Sequence, residues 1–177
     1  WEYHEITCNL FEEIISMPEF KSWPHLGIVI QAYLKESEKD FERLLLAAKS
    51  RGTPITVRLV KGAYWDFEVV NSLRNGLPCP VYTNKENTDA NYELLTRKLL
   101  ENIDYRRPAF GSHNHRSLLN AIATADHMGV PDKAYEIQML YGMAEPERKA
   151  FKELVSRLRL YAPVGELLPG IGYLVRR

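Results

Sequence analysis

Apolar positions along the chain alternate between two rhythms. Residues 4–17 carry Ile6, Leu10, Phe11, Ile14 and Ile15 on one helical stripe, which Pro18 ends. A nearly unbroken apolar run at 26–33, interrupted by Gln31, predicts a strand. Ser37 followed by Asp40 has the form of a capping box. The helix it would open places Phe41, Leu44, Leu45 and Ala48 on one face, and Gly52 stops it. Pro54 then opens a β-branched strand to Val60. Residues 65–75 predict a short helix closed by Asn75 and Gly76, and 77–86 a loop. Thr88 is the predicted cap of a helix to Ile103, with Tyr92, Leu95, Leu99 and Ile103 on its buried side. Beyond it come a strand at 108–112, a helix at 115–128, a strand at 135–140 and a helix at 146–156. A strand at 157–162 has Leu158 and Leu160 as its apolar positions, and a final helix begins at 166.

Five strands, each followed by an amphipathic helix, imply a parallel sheet covered by helices. Strands buried on both sides, with polar residues gathered at their C-terminal ends, fit an α/β fold of the β/α-barrel kind. A doubly wound open sheet is the competing arrangement, but no strand is followed by a glycine-rich dinucleotide fingerprint. A whole (β/α)8 TIM barrel needs eight strands and roughly 250 residues. This chain has 177 residues and five predicted strands. The expectation is therefore a partial TIM barrel: one domain, 1–177, forming the C-terminal part of the barrel.

The chemistry concentrates at the strand ends, which in a β/α barrel share one rim. The second strand carries Arg58 within its apolar run and Lys61 at its end. Gly62 and Ala63 then leave room for a ligand to approach the backbone, and Tyr64 and Trp65 add flat aromatic surface. A buried guanidinium stays charged and needs a partner, either a core carboxylate or a ligand. Gln31, the run Ser112-His113-Asn114, Gln138 with Leu140, and Tyr161 occupy the other strand ends. Each also has a plain structural reading: His113 as a core histidine, Asn114 as a helix cap. On the last strand and the terminal helix, Tyr161, Tyr173, Arg176 and Arg177 can grip a carboxylate or form a solvated basic helix end.

Charge and composition narrow the function classes. Lysine plus arginine and aspartate plus glutamate number 23 each, so no net field favours nucleic acid or an anionic membrane. Hydrophobic residues at 45% and charged residues at 26% suit a soluble globular protein, with no apolar run near the roughly 18 residues of a membrane span. The start, Trp1 to Glu5, lacks the basic and apolar regions of a signal peptide. Two distant cysteines, Cys8 and Cys79, suit free thiols in a reducing cytoplasm. No Cys/His spacing suits a metal, and there is no nucleophile elbow or P-loop. The rim is cationic, amide-rich and poor in carboxylates, which suits a cofactor that performs the chemistry itself. Two alternatives stay open. Lys61 can serve a Schiff-base or phosphate-binding lyase, or the half-barrel can be a non-catalytic association module.

Four motifs carry a resemblance. They are Val57-Arg58-Leu59-Val60-Lys61-Gly62-Ala63-Tyr64-Trp65, Ser112-His113-Asn114, the run from Tyr135 to Met143, and Tyr173-Leu174-Val175-Arg176-Arg177. In that order and spacing they closely resemble the proline dehydrogenase domain of bacterial bifunctional proline utilisation enzymes, from about Gly27 onward. The resemblance implies a β/α barrel that binds FAD and oxidises L-proline to Δ1-pyrroline-5-carboxylate, passing electrons to membrane quinone. It also implies a cytoplasmic enzyme with peripheral association to the inner membrane. Against FAD it places Gln31, Arg58, Val60, Lys61, Gly62, Ala63, Trp65, Thr83, Asn84, Lys85, Thr88, His113, Asn114 and Gln138. Around proline it places Tyr64, Leu140, Tyr161, Tyr173, Arg176 and Arg177. Arg58 would then be the catalytic group, stabilising negative charge on the reduced flavin.

The chain departs from the family pattern in places. A lysine and an aspartate that the family brings to proline from earlier strands are not found, and Asn84 stands where a charged residue is expected. Neither an aldehyde dehydrogenase nor a DNA-binding module is expected within these 177 residues. Five strands do not close a barrel, so the strands at 27–33 and 157–162 are expected to have open edges through which the isolated chain self-associates, with weak turnover.

Overall fold

Ile55, Val57 and Leu59 alternate with Thr56, Arg58 and Val60 along strand β2 (Ile55–Val60), and that alternation sets the architecture. The structure is a computed structural model, and it describes residues 1–165. β2 lies between β1 (Gly27–Gln31) and β3 (Arg106–Gly111); β4 (Glu136–Leu140) and β5 (Leu158–Tyr161) complete a five-stranded sheet in the order β1-β2-β3-β4-β5. All four pairings are parallel. The helices are α1 (His4–Ser16), α2 (Ser37–Arg51), α3 (Trp65–Arg74), α4 (Lys85–Glu101), α5 (His115–His127) and α6 (Glu145–Leu154). A 3-10 turn at Asp132–Ala134 leads into β4. Sequential parallel strands joined through helices form the wall of a β/α barrel, as the pattern predicts.

Register decides which residues share a face. Ile30, Leu59, Phe110 and Ile137 stand side by side across β1 to β4 and are buried under the helices. Phe41, Leu44 and Ala48 of α2, Tyr92, Leu95 and Leu99 of α4, and Leu118 and Ala121 of α5 close over them as one core. The opposite face carries Val29, Arg58, Ala109 and Glu136 in one row and Gln31, Val60, Gly111, Gln138 and Arg159 in the next. Here the structure corrects the expectation of strands buried on both sides. β1 alternates exposed and buried, and β5 is exposed from Arg159 to Tyr161. In β3 and β4 both faces are buried, at Ala109 with Phe110 and at Glu136 with Ile137, so the open face is confined to the outer strands.

Two predicted caps also differ. Ser37 does not cap α2; Glu36 occupies that position without a side-chain cap bond. The Ser37 hydroxyl is buried and accepts a 2.8 Å hydrogen bond from the Asn91 amide. Thr88 does not cap α4, which begins three residues earlier, where the Asn84 side chain accepts from the Glu86 N–H at 2.9 Å. Ile103 lies beyond the helix end and is half-buried. Gly52 ends α2 as expected, in the left-handed region at φ 73°. β3 starts two residues before its predicted beginning, at Arg106. That guanidinium is fully buried 3.7 Å over the Phe41 ring, and burial pushes its pKa down to about 10. The predicted helix from 166 lies outside the described residues.

Candidate active site

Parallel register brings the C-terminal ends of the strands to one rim, so residues distant in sequence meet there. A cavity of about 360 Å³, within the range of small-molecule sites, is lined by Val29 and Gln31 from β1, Arg58 and Val60 from β2, Lys61, Gly62 and Ala63 from its exit, and Gly111 and Ser112 at the end of β3. Larger hollows lie elsewhere. One of about 770 Å³ runs along the edge of β1 beside α1, with His4, Gln31, Asp40 and Glu68 set among apolar side chains. Another of about 890 Å³ lies on the open face of the sheet and includes Arg58, Gln138 and Tyr161. Arg58 borders both the rim cavity and the open-face hollow.

Arg58 is half-buried, not fully enclosed, and forms no carboxylate pair among the described residues. Its guanidinium stands 5.6 Å from the Tyr161 ring. Its Nε is shielded from solvent without a hydrogen-bond partner. His113 offers a second orphan. Its Nε2 accepts from the Leu140 N–H at 3.1 Å, so the ring proton belongs on Nδ1, and buried Nδ1 has no partner. Burial pushes the His113 pKa down, against the pull of Glu147, and keeps the ring neutral. Two buried N–H donors without acceptors at one rim fit a planar ligand rich in acceptor atoms.

The turn after β2 is shaped for close approach. Gly62 has φ 139°, and a Cβ there would collide with the ring of buried Tyr33. Gly62, Ala63, Tyr64 and Trp65 are all exposed, and the Trp65 indole donates to the Tyr82 carbonyl at 2.8 Å. Lys61 is ion-paired with Asp89 at 2.5 Å. Asn114 accepts from the Ser117 N–H at 3.0 Å as the cap of α5, its plain structural reading. Thr83, Asn84, Lys85 and buried Thr88 do not line the rim cavity. They stand at the start of α4, connected to it through Asp89. Leu140 is half-buried at the end of β4, and Tyr161 is exposed at the end of β5. Tyr173, Arg176 and Arg177 lie outside the described residues.

Two carboxylates that the sequence reading passed over organise the predicted ones. Glu136 is buried and accepts from Arg159 Nε at 2.8 Å and Nη2 at 2.9 Å. It also accepts from Gln138 Nε2 at 2.5 Å. Burial raises its pKa, but these bonds and the arginine charges outweigh that and hold it below the usual value. An ionised carboxylate only accepts, so the Gln138 amide presents its Nε2 to Glu136 and keeps its oxygen for another donor. Asp89 binds Lys61 and lies 3.7 Å from Lys85. The signals were present: Glu136 is two residues from Gln138 on one strand face, and Asp89 is four from Lys85 on one helix face.

Among the described residues no helix is long and apolar enough to cross a membrane, and no His/Cys/Asp/Glu cluster suits a metal ion. A family model described as proline dehydrogenase matches residues 1–177. Bifunctional protein PutA of Escherichia coli (strain K12) is 39% identical over 181 residues, covering 98% of this chain. Proline dehydrogenase 2 of Bacillus subtilis (strain 168) is 32% identical over 174 residues, covering 98% of this chain and 50% of that protein. The crystal structure of proline utilization A from Bdellovibrio bacteriovorus, inactivated by N-propargylglycine, is 52% identical, with a TM-score of 0.96 over 100% of this chain and 18% of that one. The chain spans 14% of the length of the Escherichia coli protein.

Proposed function

The chain belongs to the proline dehydrogenase family, and from that premise we propose that it supplies the C-terminal part of a barrel that oxidises L-proline to Δ1-pyrroline-5-carboxylate with FAD. One observation carries the reading: Arg58 stands at the rim with a shielded, unbonded Nε, beside a turn whose glycine permits close approach. The residues present fit FAD. Arg58 and His113 offer orphan donors, Gln138 a free amide oxygen, and Lys61 and Lys85 positive charge for the anionic portion. Gln31, Val60, Gly62, Ala63, Trp65, Thr83, Asn84, Thr88 and Asn114 complete the proposed cofactor contacts. FAD, when bound, supplies the acceptor for a hydride from the ring carbon next to the proline nitrogen.

The chain's own residues bind and orient. Arg58 places a fixed positive charge where negative charge develops on reduction, a preorganised arrangement that needs no rearrangement during reaction. Tyr64, Leu140, Tyr161 and Tyr173 wall the substrate ring, and Arg176 and Arg177 hold its carboxylate with charge-assisted hydrogen bonds. In this reading the enzyme is cytoplasmic, meets the inner membrane peripherally and passes electrons to quinone. Among the described residues the outer edges of β1 and β5 pair with no further strand, and they give the isolated chain surfaces for self-association.

The Schiff-base reading of Lys61 is disfavoured by its geometry. Its ammonium is engaged by Asp89 at 2.5 Å, whereas a nucleophilic amine needs a free lone pair. The test of the proposed function uses the intact protein. A flavin absorbance that bleaches on adding proline is expected. Arg58→Met is expected to retain flavin but lower its reduction potential by roughly 30–65 mV, the two-electron equivalent of about 1.5–3 kcal/mol for a hydrogen bond to a charge. A protein without flavin bands, or an unchanged potential in the variant, counts against the assignment.

A further inference from the structure

Asp89 sits in the second turn of α4, with Oδ1 2.5 Å from the Lys61 ammonium and Oδ2 3.7 Å from that of Lys85. Packing sets its place. Its helix neighbours Thr88, Asn91 and Tyr92 are buried. The Asn91 amide donates to the Ala32 carbonyl and to the Ser37 hydroxyl, each at 2.8 Å. The Ala32 N–H in turn donates to the Val60 carbonyl at 2.8 Å, one residue before Lys61. The start of α4, the exit of β1 and the end of β2 thus form one hydrogen-bonded frame, and Asp89 projects from it to Lys61.

The electrostatics of this arrangement carry two opposite signs. A carboxylate beside two ammoniums cancels part of the field that would draw an anionic ligand. The same carboxylate restricts a long, flexible side chain that otherwise loses its rotamer freedom only when the ligand arrives. Lys61 is one-fifth exposed and Lys85 is 77% exposed, so the restraint matters most for Lys61, which is close-held and sheltered. Partly exposed ion pairs contribute little to stability, so fold stability is a weak reason for the pair.

We propose that Asp89 is a positioning residue: it holds Lys61, and more loosely Lys85, in the geometry that receives the anionic diphosphate portion of FAD. This rests on the flavin reading above. Among the described residues the ion pairs of Asp89 are with the two lysines, so its effect passes through Lys61.

The sign of one substitution separates ordering from charge cancellation. FAD affinity is measured on flavin-depleted intact protein by titration with FAD, for wild type, Asp89→Asn, Lys61→Met and the double variant. Asp89→Asn is expected to weaken binding about tenfold, with an unchanged melting temperature, as for loosening one charged contact. Asp89→Glu is expected to recover most of that loss. In the Lys61→Met background Asp89→Asn is expected to have no further effect, because coupled residues are non-additive. Tighter or unchanged binding in Asp89→Asn overturns the inference and leaves a residue that only screens charge. Wild type that binds FAD while Lys61→Met binds it equally well overturns it too, without touching the rest of the flavin reading. Wild type that binds no FAD overturns that reading and the inference together.

Discussion

Across one face of the sheet Ile30, Leu59, Phe110 and Ile137 stand in a row, each nearly inaccessible to water. One residue back along the same strands, Val29, Arg58 and Ala109 stand in the parallel row on the opposite face, where Val29 is 47% exposed. The backbone is shared, and so is most of its hydrogen bonding. What differs is what each row must satisfy. The covered row has to match the volume of the helices above it, whereas the other row sets exposed Val29 and buried Ala109 beside Arg58 and Glu136, whose partners are ligands or other polar side chains. Stability and chemistry are thus allotted to alternate residues of the same strands, and substitutions in the two rows should read out in different assays.

Phe110→Ala probes the covered row and carries the largest expected effect. Its ring is fully buried, 6.0 Å from Tyr135, and the variant should lose about 3–5 kcal/mol of unfolding free energy in urea titration. Arg58→Met in the other row should lose less than about 1 kcal/mol in the same titration. Similar losses for the two would break the comparison. Gly62→Ala tests where the rule bends, since this rim position is exposed yet has φ 139° and backs onto the Tyr33 ring. A loss of about 1–3 kcal/mol in thermal melting is expected, and a neutral result would mean that the turn relaxes freely.

The smallest effect is a pH dependence. Burial places the folded-state pKa of His113 below its ordinary value of 6.5, so the folded protein binds fewer protons there than the unfolded chain. Its contribution is present above pH 6.5 and is lost as pH falls below that value through the folded pKa. Protonation also turns Nε2 into a donor facing the Leu140 N–H. Unfolding free energies from urea titration at pH 7.5 and 5 should therefore differ more in wild type than in His113→Asn, by no more than about 1 kcal/mol. Equal pH dependence in both would assign the effect to other groups.

Strand positions were legible because β-branched runs such as Ile55 to Val60 are short, local signals, and all five strands lie within two residues of their predicted starts. Caps were less legible. A serine or threonine reads alike whether it caps a helix or is buried within it, and Ser37 and Thr88 do the latter while Asn84 caps α4. At the rim, residue types were readable from strand ends, but their partners were not. Pairings such as Lys61 with Asp89, 28 residues apart, and Glu136 with Arg159, 23 apart, depend on register and helix placement that no local period encodes. Burial on both sides was expected from the apolar runs, yet periodicity cannot tell a strand covered on two faces from one covered on a single face.

The connection from β2 to β3 contains two helices of unequal standing. α4 buries seven residues and packs on both strands it joins. α3 buries only Glu68 and Ser72, and leaves Phe67, Val70 and Leu73 45% or more exposed. In terms of local unfolding, opening α4 uncovers the sheet and approaches the global free energy, whereas opening α3 uncovers little. The backbone amides of α3 therefore belong to a lower rung of hydrogen-exchange protection than those of α4. Tyr64 and Trp65 ride on that lower rung, with the indole bond to Tyr82 as a tether, so one side of the rim can loosen while the frame that holds Lys61 stays closed.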